Sequence, residues 1–172
     1  GVVAGTHVRF LFGLPFALIF LAVAAAVTGR APPAPDAASA GWLALGAVAQ
    51  MAATALMLSA MRLRSFVVAT AYTKTEPVLV LLVAIVALGE VPTPLLVVAV
   101  LAATAGVLVM SWPRAGAARG GEMWQAAGFG VAAAGAFALS AVAYRGGILG
   151  LGGAAEPLSA PTALALAMVL QA

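Results

Sequence analysis

The sequence predicts an all-α protein, a polytopic bundle of helices that span a membrane. Its 172 residues are 65% hydrophobic and only 8% charged, whereas a water-soluble domain has about 25% charged residues. A chain with so few charges cannot cover a globular surface with polar groups, so most of its solvent must be lipid. Its apolar residues also form long runs, which favour helices, because barrel strands need only about 10 residues and alternate in polarity.

Five apolar runs are long enough to cross a bilayer, which takes about 20 residues. The runs cover residues 8–27, 41–61, 65–88, 95–112 and 124–144. A sixth run begins near Ala160 and holds roughly half a span before the sequence ends. Since the chain also has no initiator Met, we expect it to be a fragment that lacks sequence at both ends.

The charged residues and the cysteine count exclude several functional classes. The eight Lys and Arg residues mostly flank the apolar runs, as they do in membrane proteins, so the net charge of +3 does not indicate a nucleic-acid partner. The chain has no cysteine and a single histidine, His7, which argues against a metal site or another cofactor. No pair of acids at helical spacing and no serine beside a histidine suggests catalysis, so we expect no enzyme.

The third apolar run carries two charges and a proline near its middle: Lys74, Glu76 and Pro77. A charge at the centre of a spanning helix costs about 2.5–3.5 kcal/mol on insertion scales, so both side chains should face protein or water rather than lipid. On one regular helix over residues 65–88, Lys74 and Glu76 would point about 200° apart and could not pair within the helix. Pro77 has no N–H, so the carbonyl of Thr73 loses its usual donor, which predicts a polar notch and a helix kink.

These residues form two faces of the third helix, and the second helix offers a facing surface. Thr73 shares the face of Lys74 and Pro77, whereas Tyr72 shares the face of Glu76. Gln50 lies about midway through the second run, where it could bond Lys74, Glu76 or a substrate, or hold two helices together. Candidate substrate-binding residues are therefore Lys74, Glu76, Gln50, Tyr72 and Thr73.

The two intramembrane charges leave three interpretations open. They could form part of a substrate or coupling-ion site, because such charges usually mark transport paths. They could instead form an ion pair between helices that only fixes packing. Glu76 could also carry protons during transport.

Several motifs of the chain resemble one family of transporters. The stretch from Met57 to Trp112 has a central proline at Pro77, then Leu-Gly-Glu at residues 88–90, then a helix with a late glycine, Gly106. Arg9 stands at the start of the first run, and "GFGVAAAGAFALSAVAYRGG" at residues 128–147 closes with Tyr-Arg. In their order and spacing these features resemble the EamA-type repeat of the drug/metabolite transporter superfamily.

The resemblance implies a ten-helix transporter built from two inverted five-helix repeats. Residues 1–113 would hold helices two to five of the first repeat, and residues 114–172 would hold helix six and the beginning of helix seven. The resemblance implies that both termini lie in the cytoplasm. This would place outside the cell the side of the membrane that carries most of the arginines, namely Arg9, Arg62, Arg64, Arg114 and Arg119. The positive-inside rule places that side in the cytoplasm, so the orientation stays open.

We therefore expect a multi-pass protein of the inner (plasma) membrane that moves small polar metabolites, such as amino-acid-like solutes, through a central cavity. Its partners would be a small-molecule substrate and the lipid bilayer, and proton coupling fits the acidic residue in the third run. The alternative is a structural or assembly subunit without transport activity, held together by close packing of small residues. The sequence does not define the oligomeric state.

The Leu-Gly-Glu motif also has a physical interpretation of its own. Gly89 can end the third helix in a left-handed conformation, because glycine has no Cβ to clash there. Glu90 would then lie at the membrane surface before the next helix, where a carboxylate is favourable. We therefore predict a structural role for both residues.

Overall fold

A computed structural model of the chain describes residues 2–62, 73–110 and 121–172. In these ranges the chain forms six α-helices and a short 3-10 helix and contains no strand. The prediction of an all-α helical bundle is therefore confirmed. The elements are α1 (Val2–Thr28), α2 (Ala37–Arg62), α3 (Glu76–Leu88), α4 (Pro94–Met110), α5 (Gly121–Gly150), the 3-10 helix Gly153–Ala155 and α6 (Ser159–Gln171).

Three stretches of the described helices are long and apolar enough to cross a bilayer. They are Val8–Thr28, Ala37–Arg62 and Ala127–Gly150, and they correspond to the first, second and fifth predicted spans. α3 and α4 are apolar but shorter, with 13 and 17 residues. α3 covers only the later part of the third run, whose residues 65–72 lie outside the described ranges.

The ends of α2, α3 and α4 are set by side chains and backbone groups next to each end. The exposed carboxylate of Asp36 accepts a 2.8 Å hydrogen bond from the Ser39 N–H in the first turn of α2, as expected of an N-cap residue. At the C-terminal end of α3, Gly89 has φ +66° and donates its N–H to the Ile85 carbonyl at 3.1 Å. The predicted left-handed glycine is therefore confirmed. The Thr93 hydroxyl then accepts a 3.3 Å hydrogen bond at the start of α4.

The described chain divides into two compact units. We call residues Gly1–Met51 and Ser140–Ala172 the terminal unit, and residues Ala52–Leu139 the middle unit. In the terminal unit, α1 packs against α6, with Gly13 next to Met168. In the middle unit, α3 packs against α4 as a helical hairpin.

Three glycines near the end of α5 face three side chains near the start of α2. A Cβ atom on Gly147 would lie 2.6 Å from Leu43, and one on Gly146 would lie 2.9 Å from Trp42. At such distances a side chain on either glycine would force the facing side chain of α2 to shift, so the missing Cβ atoms allow the two helices to approach closely. The facing pairs are Gly150–Ser39, Gly147–Leu43 and Gly146–Trp42.

The contact between α2 and α5 continues toward the middle of both helices with the roles exchanged. Here the glycine belongs to α2: a Cβ atom on Gly46 would lie 2.7 Å from the ring of Tyr144. One turn further along, Gln50 of α2 meets Ser140 of α5. Residue numbers rise along α2 as they fall along α5, so the two helices run antiparallel in the terminal unit.

This packing corrects the predicted end of the fifth span. The sequence predicts a helix that ends at Tyr144, because glycines follow and glycine is a poor helix former. The structure instead continues α5 through Gly146 and Gly147 to Gly150. The close contact of these glycines with α2 outweighs their low helix propensity, and that contact is not visible in the local sequence.

Candidate functional site

The described part of the third apolar run, residues 73–88, contains a break in the helix next to Pro77, and we call this segment the interrupted helix. Residues 74 and 75 form a turn, and α3 begins at Glu76 with Pro77 in its first turn. Proline suits this position, because the N–H groups of a first helical turn have no partner in the helix and proline lacks one. The prediction of one regular helix over residues 65–88 is therefore wrong at this point, and the 200° angle between Lys74 and Glu76 does not apply.

The carbonyl group of Thr75 closes the start of α3. It accepts hydrogen bonds from the backbone N–H groups of Val78 at 3.2 Å and Leu79 at 3.3 Å. The turn is thus anchored to α3 by backbone bonds. It places Lys74 just outside the helix rather than on its side.

The two charged side chains of this segment differ in exposure. Lys74 is exposed and Glu76 is half-buried. Within the described part of the chain they do not form an ion pair with each other, which would need a nitrogen and an oxygen within 4.0 Å. Thr73, before the turn, is half-buried.

The remaining predicted site residues lie elsewhere in the chain. Gln50 belongs to the terminal unit, whereas Thr73, Lys74 and Glu76 belong to the middle unit. Tyr72 lies outside the described residues. The grouping of these five residues into one substrate site therefore stays a prediction.

Gln50 bonds to another helix within the terminal unit. Its side-chain oxygen Oε1 accepts a 2.8 Å hydrogen bond from the Ser140 hydroxyl, and Ser140 is fully buried. The sequence left two roles open for Gln50, and the structure shows the contact between helices. A polar bond of this kind joins neighbouring helices where lipid offers no other partner.

A second polar contact lies one turn along α5 and joins a third helix to the pair. Nε2 of Gln171, on α6, donates a 2.9 Å hydrogen bond to the Tyr144 hydroxyl and a 3.4 Å hydrogen bond to the Ala47 carbonyl. Since Ala47 offers only a carbonyl oxygen there, the amide nitrogen must face α2, which fixes the orientation of the Gln171 side chain. We call Gln50, Ser140, Tyr144 and Gln171 the polar cluster.

Three members of this cluster, Ser140, Tyr144 and Gln171, were not predicted from the sequence. Ser140 and Tyr144 are four residues apart and therefore share a face of α5, which is a signal that the sequence offers. Gln171 stands near the end of an apolar run, and no pattern in the sequence links it to Tyr144. Its partners are set by how α6 packs against α2 and α5.

The described residues offer no group of three or more His, Cys, Asp or Glu side chains that could hold a metal ion.

Comparison with known proteins places the chain in a family. The model of the EamA-like transporter family matches residues 2–112, which covers α1 to α4 and the interrupted helix around Lys74. No curated protein and no solved structure matches the chain. The family match extends over more than half of the sequence, and the helices are of the length and polarity that a membrane protein needs. The chain therefore belongs to the EamA-like transporter family.

Proposed function

We propose that the protein is a secondary transporter that moves small polar metabolites, such as amino-acid-like solutes, across the cytoplasmic membrane through a central cavity. Its family consists of membrane transporters, which also argues against an enzyme. In this proposal the protein is a multi-pass component of the inner membrane. The substrate class rests on the side chains around the interrupted helix.

The observation that carries the proposal is the turn at residues 74 and 75 next to Pro77. Irregular backbone at membrane depth is tolerated only against protein or beside a water-filled cavity. Transporters commonly bind substrates at such interrupted helices, near the middle of the membrane. An exposed Lys74 beside the turn suits the carboxylate of a small solute, and Thr73 supplies a hydroxyl.

Glu76 and Tyr72 complete the proposed site on its other side. A carboxylate suits the ammonium group of a zwitterionic solute, and an aromatic ring suits its side chain. Gln50 is included as a hydrogen-bonding group of the second helix, with Ser140 as its partner in the terminal unit. Pro77 is proposed to hold the backbone in its interrupted form.

The alternative is a structural or assembly subunit without transport activity. Such a subunit would use Lys74 and Glu76 as a mutual ion pair that fixes packing. The two groups are not within ion-pair distance of each other. This geometry supports the transport role over the structural one.

The test is uptake of radiolabelled amino acids into liposomes that contain the wild-type protein, Lys74→Met or Lys74→Arg. We expect Met to abolish uptake and Arg to retain part of it, because only Arg keeps the positive charge. If Met and Arg variants both transport every anionic and zwitterionic solute like the wild type, Lys74 is not in the substrate path. Full transport by a Lys74→Met/Glu76→Gln double variant would favour the structural role.

A further inference from the structure

Two cavities adjoin each other between α5 and α6, in the terminal unit. The larger has a volume of about 690 Å³ and the smaller a volume of about 200 Å³. Tyr144, Ile148 and Ala160 line both of them. Open space along the contact of two helices needs a physical explanation, because protein interiors are packed as densely as organic crystals.

The two helices are joined at both ends of this space. At one end, a connector of residues 151–158 leads from α5 into α6 and contains the 3-10 helix. At the other end, Nε2 of Gln171 on α6 donates to the Tyr144 hydroxyl on α5 and to the Ala47 carbonyl on α2. The part of α6 that lines the smaller cavity, within residues 160–168, lies between these two ends. The cavities are thus bounded by a covalent link and by a hydrogen-bonded one.

The connector can pivot where it leaves α5. Gly152 and Gly153 follow each other with φ +108° and +56°, and glycine has the greatest backbone freedom of all residues. The rest of the connector is tied to α6, because the Ser159 hydroxyl bonds the carbonyls of Gly153 at 2.7 Å and Glu156 at 2.9 Å. A change of backbone angles at the two glycines would therefore turn α6 relative to α5.

α1 is held to α6 and would move with it. The two helices pack against each other, with Gly13 next to Met168. Near the start of α6, Oε2 of Glu156 pairs at 3.4 Å with Nη1 of Arg30, which follows α1. Neither of these contacts involves α5, so both can persist while α6 turns.

The bonds of Gln171 hold α6 in place with limited strength. The Gln171 side chain is only 3% exposed, and its Oε1 has no hydrogen-bond partner within the described part of the chain. A buried amide oxygen without a donor costs free energy that contact with water restores. The bonds of Nε2 favour the closed position of α6, whereas the unpaired oxygen opposes it, so the closed position should be only moderately favoured.

We propose that α6 opens away from α5 about Gly152 and Gly153, with Gln171 as the latch. In the closed position Gln171 bonds Tyr144 and Ala47, as the structure shows. In the open position these two bonds are broken, Oε1 of Gln171 is hydrated, and water enters the two cavities. This motion can be measured without any substrate, so it stands apart from the proposed transport function.

The test is the rate at which single cysteines react with a water-soluble methanethiosulfonate reagent, in protein held in lipid nanodiscs. The chain has no cysteine of its own. Ala167→Cys places a thiol at a buried position in the wall of the smaller cavity, so its rate reports opening. Ala160→Cys places one at an exposed position of the same wall and calibrates the reagent.

Tyr144→Phe removes the hydroxyl that Gln171 bonds on α5 and keeps the ring that packs against Gly46. It should raise the rate at Ala167→Cys by about three- to fifteenfold, the factor that corresponds to one bond between membrane helices. The rate at Ala160→Cys should not change. The matched control is Ser140→Ala, which removes a hydroxyl one turn away on α5 that bonds α2 instead of α6, and it should leave both rates unchanged.

Pulsed EPR distances between pairs of spin labels test which helices separate. Labels at Ala141 of α5 and Leu170 of α6, both exposed, report on the space between these helices, and labels at Phe12 and Leu170 report on α1 and α6. Tyr144→Phe should add a longer distance to the first pair and leave the second pair unchanged. Circular dichroism checks that all variants keep their helices.

Three results would overturn the proposal. One is an unchanged rate at Ala167→Cys in Tyr144→Phe, and the second is an equal increase in Ser140→Ala, which would indicate general loosening. The third is a longer distance in both label pairs or in neither, because α6 would then leave α1 as well or would not move.

Discussion

The Ser140 hydroxyl of α5 donates a 2.8 Å hydrogen bond to Oε1 of Gln50, near the middle of α2. Both groups lie in an apolar chain, and Ser140 is fully buried. Removal of the hydroxyl would leave the Gln50 oxygen without this donor. The bond thus provides a direct measure of what a polar contact between helices contributes in this protein.

We expect Ser140→Ala to lower the free energy of unfolding by about 0.5–2 kcal/mol, since bonds of this type between membrane helices contribute about 0.6 and at most about 1.7 kcal/mol. The control is Ser59→Ala, because the Ser59 hydroxyl bonds only back to Ala55 of its own helix among the contacts described here. Unfolding in detergent, followed by circular dichroism, measures both variants. An equal loss in the two would show that the contact between helices adds nothing.

Gly46→Ala tests the close approach of α2 to Tyr144. The new methyl group would lie 2.7 Å from the tyrosine ring, and the ring cannot easily move because its hydroxyl is bonded to Gln171. Overpacking of this kind typically costs about 1–3 kcal/mol. We expect a lower unfolding temperature in detergent.

The matched control for this change is Gly41→Ala in the same helix. A Cβ atom at Gly41 would meet nothing within 4 Å, so alanine should be neutral or stabilise α2 by about 0.5–1 kcal/mol. If both glycine variants behave alike, the space around Gly46 does not limit packing.

Pro77→Ala tests the interrupted helix. Alanine restores the N–H that proline lacks, which favours regular helix across residues 74 and 75. If the proposed transport site depends on the turn, the variant should keep its helical content and lose most of its uptake of amino acids into liposomes. Pro15→Ala, at the proline inside α1, serves as the control and should transport normally. If Pro77→Ala takes up amino acids as well as the wild type does, the turn has no role in transport.

The pH dependence of stability should reveal the cap of α2. The nearby Ser39 side chain and the hydrogen bond from the Ser39 backbone N–H lower the pKa of Asp36 below its usual value of 3.8. A lowered pKa in the folded state means that the carboxylate stabilises the protein at pH values above about 4, and that this stabilisation is lost as the pH falls through the folded-state pKa.

Asp36→Asn keeps an N-cap group and removes the titration. We therefore expect the difference in unfolding temperature between wild type and variant to be largest above pH 4 and to shrink as the pH falls toward 3. A difference that does not change over this range would show that Asp36 has the same pKa in both states.

The helical class, the family and the approximate position of the spans were predictable from the sequence, because they follow from apolar composition and from motifs that are local in the chain. Gly89 is an example: its left-handed conformation follows from its place between an apolar run and Glu90. The prediction at this position was confirmed.

Features that depend on contacts between distant residues were not predictable in the same way. The extension of α5 to Gly150 depends on Trp42 and Leu43, about 100 residues earlier in the chain. The bond between Gln171 and Tyr144 depends on the packing of α6. The start of α3 at Glu76 was predictable only in part. Pro77 indicated an irregular backbone, but it did not indicate a turn that places Lys74 outside the helix.

The paired glycines and large side chains of α2 and α5 also restrict how the protein can move. A shift of one helix along the other by one residue would press Leu43 or Trp42 against a position that has a side chain. The start of α2 and the end of α5 should therefore behave as one rigid body, with Gln50 and Ser140 as a further fixed point. If the protein transports as proposed, by opening first to one side of the membrane and then to the other, the hinge should lie outside these two helix segments.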